Sequence, residues 1–451
     1  MVSGGIGSDR VSRFKIENAA PEEGTVAALT HDAEGVVKAG KACFVPGVLP
    51  GERIRFRRVR KRRQHDEGIL EEIIEASPER VTPRCSHFGV CGGCALQHLD
   101  AAAQLSIKQR ELRDSLFRLG SVSPHEWLAP LDGPIWAYRR RARLSARYVR
   151  KKGRSLVGFR ERNKPYVADV RRCEVLAAPV GELIEPLAEL LTSLEARELI
   201  PQLEVAVSER DTGIVIRHLE PLPGTDLARL RAFELRHGIH FFLQPGGPDS
   251  IHPLCAAPVT LQYELPDFAV ALDFLPSDFV QINGAINRRL TSRAVELLQL
   301  DANSRVLDLF CGLGNFTLPI ARRAGAVVGV EGDAALIERA RANARSNAIQ
   351  NAHFCVADLA VPPDPRAAWL TGLYTHVLLD PPRVGAAAMI DTVVSLAPRR
   401  IVYVSCHAGS LARDLGALCG AGKYRLLAAG VVDMFPHTTH AESIAVLERQ
   451  I

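Results

Sequence analysis

Apolar and polar positions alternate in short bursts along the first part of the chain. From about Phe14 to Ala76 the bursts are Glu23-Gly-Thr-Val-Ala-Ala-Leu29, Gly35-Val-Val-Lys38, Lys41-Ala-Cys-Phe-Val45 and Glu52-Arg-Ile-Arg-Phe-Arg-Arg-Val-Arg60, set between turns. A two-residue period repeated at this spacing predicts several short strands and a small β-barrel. Pro78 and Pro83 break the pattern after the barrel. Gln104 to Leu119 then switches to helical spacing, with Leu105, Leu112, Leu116 and Leu119 near one face and Gly120 as a stop. From about Trp136 to Leu272 strands, hairpins and a few helices alternate around Gly246-Gly247, the texture of an α+β domain.

The pattern changes again near Leu275. Ala285 to Leu298 is an amphipathic helix. After it come candidate strands at Arg305–Leu309, Ala326–Glu331, His353–Ala357, His376–Leu379, Ile401–Ser405, Arg425–Asp433 and Ser443–Glu448. Helical stretches separate them, the clearest being Ala334 to Asn347. Alternating β and α elements predict an α/β domain with a mainly parallel, doubly wound, Rossmann-like sheet. The expected division is a barrel at 14–77, a central α+β domain at 78–272 and the α/β domain at 273–451. The helix at about 104–120 is expected to pack on the last of these.

With 451 residues the chain exceeds one compact core, in keeping with two or three domains. The first ten residues lack the apolar stretch of a signal peptide, and no window reaches the roughly 18 apolar residues of a membrane span. A cytoplasmic protein is expected, with no membrane association.

Net charge is only +5, but the cations are bunched. One run holds Arg53, Arg55, Arg57, Arg58, Arg60, Lys61, Arg62 and Arg63. A second holds Arg139, Arg140, Arg141, Arg143, Arg147, Arg150, Lys151, Lys152 and Arg154. Either alone reads equally well as a solvated face. Interleaved with Phe56, Tyr138, Tyr148 and Phe159, the two together point to a polyanion, since guanidinium forks suit phosphates and aromatic rings stack on unpaired bases. Nucleic acid is the expected partner.

The candidate chemistry lies at the strand ends of the α/β domain. Val306-Leu-Asp308-Leu-Phe-Cys-Gly312-Leu-Gly314-Asn315 has the form of a strand turning through glycines into a helix. Glu331 ends the next strand, where an acid can accept hydrogen bonds from ribose hydroxyls; Asp358 and Asp380-Pro-Pro-Arg383 end the third and fourth. The loop lacks a Gly-Lys-Ser or Gly-Lys-Thr ending, which disfavours nucleoside triphosphates. An acidic, phosphate-poor pocket suits a cationic nucleoside such as S-adenosylmethionine, and a nicotinamide cofactor leaves Cys406 without a role. Cys406 ends the apolar run Ile401-Val-Tyr-Val-Ser405 at a position where reactive groups are displayed, with Arg413 or the following helix terminus available to favour its thiolate. Cys311, Cys355 and Cys419 read as small core hydrophobes. Glu442, in the connector Asp433-Met-Phe-Pro-His437-Thr-Thr-His440-Ala-Glu442, is a candidate general base.

These residues resemble the bacterial RNA (uracil-5)-methyltransferase family over nearly the whole chain. Asp308-Leu-Phe-Cys-Gly-Leu-Gly-Asn315, Leu379-Asp-Pro-Pro-Arg383, Ser405-Cys406 and His437-Thr-Thr-His-Ala-Glu442 look like its motifs. The resemblance implies that Gln281, Phe310, Asn315, Glu331, Asp358 and Asp380 bind or border S-adenosylmethionine, that Cys406 is the nucleophile and that Glu442 abstracts the proton. Where the family usually has Asn-Pro after the nucleophile, this chain has His407-Ala408. The barrel is similar to the RNA-binding, OB-like TRAM domain.

Ten cysteines in a cytosolic protein argue for metal or catalysis rather than disulfides, and three of them crowd one loop, Cys85-x5-Cys91-Gly-Gly-Cys94. The donors alone leave zinc and iron–sulfur open. Resemblance to the 23S ribosomal RNA branch of the family implies a 4Fe-4S cluster, with Cys173 as fourth ligand, and 23S ribosomal RNA as the partner, with no obligate protein partner. Other readings are a transfer-RNA uracil-5 enzyme, which typically lacks the cysteine cluster, and an RNA cytosine-5 enzyme, which usually has Asp-x-Pro-Cys where this chain has Asp380-Pro-Pro-Arg383. A catalytically silent ribosome-assembly factor would need neither Cys406 nor Glu442.

Overall fold

The computed structural model of the chain describes residues 19–38, 40–255, 259–420 and 422–450. They form two compact units: the residues up to Gln104 together with His437–Thr439, and Leu105–Pro436 together with the residues from His440.

In the first unit β1 (Glu22–Leu29), β2 (Glu34–Val37), β3 (Cys43–Pro46), β4 (Arg53–Lys61) and β5 (Asp66–Glu75) close into a barrel in the order β1-β2-β3-β5-β4. Closure leaves no free sheet edge. Ile54 and Phe56 of β4 point inward to join Val26, Val37, Cys43, Val45 and Val48 in the core. Arg53, Arg55 and Arg57 therefore point outward, as strand alternation requires, whereas Arg58, on the parity of Ile54 and Phe56, is largely buried. All of them meet carboxylates of the neighbouring strands: Arg53 and Arg55 pair with Glu23, Arg57 with Glu71 and Arg58 with Glu22 and Asp66, and Arg60 and Arg62 pair with Glu67. The basic run that begins in β4 is thus largely compensated, in keeping with a solvated face. Six of its eight cations already face acids across the strands.

The second unit contains two sheets and a hairpin. A six-stranded sheet runs β12-β11-β10-β9-β7-β8, built from β7 (Arg141–Val149), β8 (Arg154–Gly158), β9 (Gln202–Val207), β10 (Thr212–Arg217), β11 (His240–Gln244) and β12 (His252–Pro253). With helices Ile184–Ser193 and Gly224–His237 it makes the expected α+β region. β13 (Leu261–Leu265) and β14 (Val270–Phe274) form the hairpin. The larger sheet takes β6 (Glu126–Trp127), β15 (Arg305–Leu309), β16 (Ala326–Glu331), β17 (Ala352–Val356), β18 (His376–Leu379), β19 (Arg400–Ser405), β20 (Tyr424–Val432) and β21 (Glu442–Arg449), in the order β17-β16-β15-β18-β19-β21-β20-β6. Strands β15 to β19 are mutually parallel, and β21 runs antiparallel between β19 and β20.

Helices cover both faces of that sheet. Gly284–Leu298 buries Ile286, Leu290, Ala294 and Leu298, and the Asn283 side chain caps it by accepting from the Ile286 N–H. Asp333 caps Ala334–Ser346 in the same way. Leu112 and Leu116 of helix Ala101–Arg118 are buried in the opposite layer with Leu307, Ile401 and Tyr403. Leu119, expected on that face, is 66% exposed because the helix has already ended. Strand order reverses between β15 and β18, which opens a crevice at the carboxyl ends of the parallel strands. No described helix is long and apolar enough to cross a membrane.

Candidate active site

The crevice has two halves. In the first, the chain leaves β15 through Phe310 and Gly312, both at positive φ (65° and 53°), and Gly314 at 100°. A phenylalanine in that region is strained and must be held. The Phe310 and Cys311 N–H groups both donate to the Val330 carbonyl, at 2.9 and 3.1 Å, which ties the loop to the end of β16. Glu331, the last residue of β16, continues the tie. Its Oε2 accepts the Gly312 N–H at 3.1 Å, and its Oε1 accepts the N–H groups of Gly332 and Asp333.

Asn315 is fixed from outside the loop. Its Oδ1 accepts from the Tyr263 hydroxyl (2.9 Å) and from Asn287 Nδ2 (2.8 Å), while its own Nδ2 donates to Asn287 Oδ1 (3.1 Å). Asp358, just beyond β17, is exposed and accepts the Ala360 N–H at 2.8 Å. Gln281 is half-buried two residues before the cap Asn283. Beneath the loop, Asp308 is buried. Thr317 Oγ1 donates to its Oδ2 at 2.6 Å, and its Oδ1 has no partner. Burial pushes its pKa up to about 8, with Asp380 and Glu331 adding and the Thr317 hydrogen bond opposing.

The second half holds Cys406, Glu442 and Asp380. Cys406 follows β19 directly and Asp380 follows β18, so both sit at the same edge of the parallel sheet. Glu442 opens β21, whose Ser443 pairs with Ser405 of β19; antiparallel register then sets Glu442 opposite Cys406. Their charges act on one another. Burial raises the half-buried Cys406 thiol, Glu442 and Asp380 raise it further, and Arg383 partly offsets them. Glu442 is buried, its Oε2 meets no partner, and burial with the Asp380 charge lifts its pKa to about 8. Asp380 rises to about 7 by burial alone. The chain thus holds two carboxylic acids near neutrality beside a thiol.

Arg413 does not activate that thiol, contrary to expectation. Its Nε donates to Asp414 Oδ1 at 2.8 Å and a terminal nitrogen to the Val384 carbonyl. The buried Asp414 is itself held by the Tyr403 hydroxyl (2.6 Å) and the Ala386 N–H (2.8 Å), so the guanidinium is committed to that anchor. The His407-Ala408 departure has a local use. His407 Nδ1 accepts the Ser410 N–H at 3.1 Å, which satisfies a first-turn donor of helix Ala408–Gly420. Sequence reasoning missed Tyr263, Asn287 and Thr317 as supports of this crevice. Asn287 left a signal, a polar residue buried on an amphipathic helix; Tyr263 and Thr317 left none.

In the first unit Cys85, Cys91 and Cys94 are half-buried on a tight loop. The Phe88 N–H donates to the Cys85 carbonyl, the Cys91 N–H to the His87 carbonyl, and the Gly93 N–H points at Cys91 Sγ at 3.5 Å. After the loop come Ala95 and Leu96, whose N–H groups both donate to the His437 carbonyl. Cys173 belongs to the second unit. Among the described residues no three His, Cys, Asp or Glu side chains converge as a metal group, so the geometry does not itself support the expected four-cysteine site.

Known proteins resemble this chain at three levels. A family model described as a methyltransferase domain matches residues 300–363, and one described as tRNA (Uracil-5-)-methyltransferase matches residues 370–450. The chain is 46% identical to the 23S rRNA (uracil(1939)-C(5))-methyltransferase RlmD of Alcanivorax borkumensis, over 95% of this chain and 97% of that protein. It is 48% identical to the protein of the same name from Bordetella parapertussis, over 94% and 92%. Its fold is similar to the crystal structure of Pyrococcus abyssi tRNA (uracil-54, C5)-methyltransferase in complex with S-adenosyl-L-homocysteine. That match has a TM-score of 0.72 and 23% identity over 94% of this chain and 100% of the other.

Proposed function

The chain belongs to the 23S rRNA (uracil(1939)-C(5))-methyltransferase family, and from that premise we propose how it moves a methyl group from S-adenosylmethionine to carbon 5 of a uridine in 23S ribosomal RNA. The observation behind the proposal is the register that sets the buried Glu442 carboxyl, with its unpartnered Oε2, opposite Cys406, and Asp380 felt by both.

Carbon 5 of uracil is a poor nucleophile until a group adds at carbon 6. In the proposed sequence the Cys406 thiolate forms that bond, and the ring electrons shift into an enolate that makes carbon 5 nucleophilic. S-adenosylmethionine, when bound, supplies an electrophilic methyl and a sulfonium charge. Carbon 5 takes the methyl, the electron pair of the broken carbon–sulfur bond stays on sulfur to leave neutral S-adenosylhomocysteine, and Glu442 removes the remaining carbon-5 proton. The carbon 5–carbon 6 double bond re-forms and Cys406 leaves as thiolate. A carboxylate with a pKa near 8 is a stronger base than a solvated one, which suits Glu442 to this task. Arg383 is the cation on hand for the thiolate.

Gln281, Phe310, Asn315, Glu331, Asp358 and Asp380 are proposed as the cofactor's neighbours, with Glu331 on the ribose hydroxyls and Asp358 on the adenine amino group. The fit rests on the acidic, glycine-turned strand ends, where the Gly312 N–H and Glu331 are already linked and Glu331 Oε2 accepts only that one hydrogen bond among the described residues. The target base must leave its stack to expose carbon 6, at a cost of a few kcal/mol that is least in unpaired RNA. The test is a covalent adduct with 5-fluorouracil RNA. Mass spectrometry should find it on Cys406 alone, and an adduct on another residue would overturn the assignment.

For Cys85, Cys91, Cys94 and Cys173 we propose a 4Fe-4S cluster, supported by the all-thiol donor set and by the Gly93 N–H aimed at Cys91 Sγ, a contact that favours thiolate. Its role would be structural, since the uracil chemistry transfers no electrons. Iron and sulfide content of anaerobically purified protein tests it. The functional division at 14–77, 78–272 and 273–451, a cytoplasmic location and action without an obligate protein partner complete the proposal. Limited proteolysis checks the boundaries.

A further inference from the structure

The second arginine-rich run frames a cavity for which the methyl transfer has no use. β7, β8, their connecting turn and the loop to Asp169 enclose about 940 Å³, lined by five cations and three carboxylates. The carboxylates are already engaged. Glu198 holds Arg150 at 2.7 Å, Asp169 holds Lys152 at 2.5 Å, and Glu161 holds Lys164 at 3.0 Å. Arg147, Lys151 and Arg160 remain on the wall, exposed and in no ion pair among the described residues. The Tyr166 ring stands beside them, 66% exposed. Cations outside any ion pair next to an open aromatic face, around a volume that fits a nucleotide, are the chemistry of unpaired nucleic acid.

No described residue that lines the cavity belongs to the crevice that holds Cys406 and Glu442. β7 begins against the segment that leads into helix Gly284–Leu298, which carries Asn287, and there the Arg140 N–H donates to the Ile282 carbonyl. The cavity lies at the other end of the strand, around Tyr148. At roughly 3.3 Å per residue that is on the order of 25 Å away along the strand.

We propose that this cavity binds an unpaired nucleotide of the RNA substrate remote from the methylated uridine, with Arg147, Lys151 and Arg160 on its phosphates and Tyr166 against its base. Only the identity of the partner rests on the functional reading above. The test uses the full-length protein, a 23S ribosomal RNA fragment containing the target, and two variants, the triple Arg147→Gln/Lys151→Gln/Arg160→Gln and the single Tyr166→Ala. In the triple variant the RNA Kd should rise at least tenfold, and the slope of log K against log salt should shrink by about 2, as loss of three single-strand phosphate contacts requires. Its kcat and its KM for S-adenosylmethionine should stay at wild-type values. Tyr166→Ala should weaken RNA binding roughly tenfold with the salt slope unchanged. Lysine at positions 147 and 160 should restore most of the binding, which a merely structural role would not produce. An unchanged Kd and salt slope in a triple variant that melts like wild type would overturn the inference. Wild-type protein that binds RNA through these cations but methylates none of it would instead sink the functional reading and leave the cavity standing.

Discussion

The barrel and the reacting edge of the large sheet handle charge in opposite ways. The outer face of the barrel carries many ions, and nearly every arginine of β4 sits against a carboxylate in open solvent. The reacting edge carries few, yet Glu442 is buried, its Oε2 lacks a partner, and it shares one neighbourhood with Asp380 and the Cys406 thiol. Compensated surface pairs gain little Coulomb energy in high dielectric and leave no group titrating near neutrality. Burial without compensation costs stability and delivers acids and a thiol that can exchange protons under working conditions. How many charges a region holds says little about reactivity; where their counter-charges lie says much.

The sharpest way to break this contrast is at Cys406. Cys406→Ala should lower methyl transfer by a factor on the order of 10⁴ or more, as loss of a covalent nucleophile does, with S-adenosylmethionine binding retained. Labelled-methyl incorporation measures it, and a rate within tenfold of wild type would remove the covalent step. Glu442→Gln should cost roughly 10²- to 10⁴-fold and should also accumulate the methylated Cys406–RNA adduct on ordinary uridine, because only release is blocked. Denaturing gels report that adduct directly.

The pH dependence follows from the same groups. As the proposed base Glu442 has to be ionised, with a pKa of about 8, and the Cys406 thiol is raised, so log kcat/KM should climb with pH through about 8. Stability should move the other way. Glu442, Asp308 and Asp380 have folded pKa values of about 8, 8 and 7 against ordinary values of 4.5, 3.8 and 3.8, so between those limits the native state holds more protons than the unfolded state. Unfolding free energy must then fall as pH rises across that window. Glu442→Gln lacks one of these groups and should lose less stability than wild type between about pH 5 and about pH 8. Parallel urea titrations of the two proteins would expose a wrong sign.

Much of this was legible before the structure. Parallel strands buried on both faces announce themselves as apolar runs, and the expected bounds of Arg305–Leu309, Ala326–Glu331 and His376–Leu379 coincide with the strands. Strand ends therefore marked Glu331, Asp380 and Cys406. What did not show was side-chain partnership across long sequence separations. The Tyr263–Asn315–Asn287 bonds join a hairpin, a loop and a helix, and no local pattern encodes them. The ion pairs of the β4 arginines stayed hidden for the same reason, since the acids that answer them come from β1 and β5. Arg413 stood close in sequence to Cys406 but was claimed by Asp414 and Val384.

The smallest effects lie within the barrel and sharpen the contrast from its other side. Arg58 is the one arginine of β4 with a largely buried side chain, and it holds the buried Asp66 at 2.9 Å. Arg58→Ala would strip that carboxylate of one of its two cations, the other being Lys41 at 2.8 Å. A loss of about 1–3 kcal/mol in a denaturant melt is expected, the cost of leaving a buried charged acceptor short of a donor. Arg55 pairs with Glu23 and Glu72 but stands in solvent with both of them. Arg55→Ala on the same strand should therefore melt with wild type, because water replaces the guanidinium at no net cost. If the two substitutions proved equally damaging, the β4 ladder would be acting as a cooperative network, and partner count would matter more than burial on the barrel face.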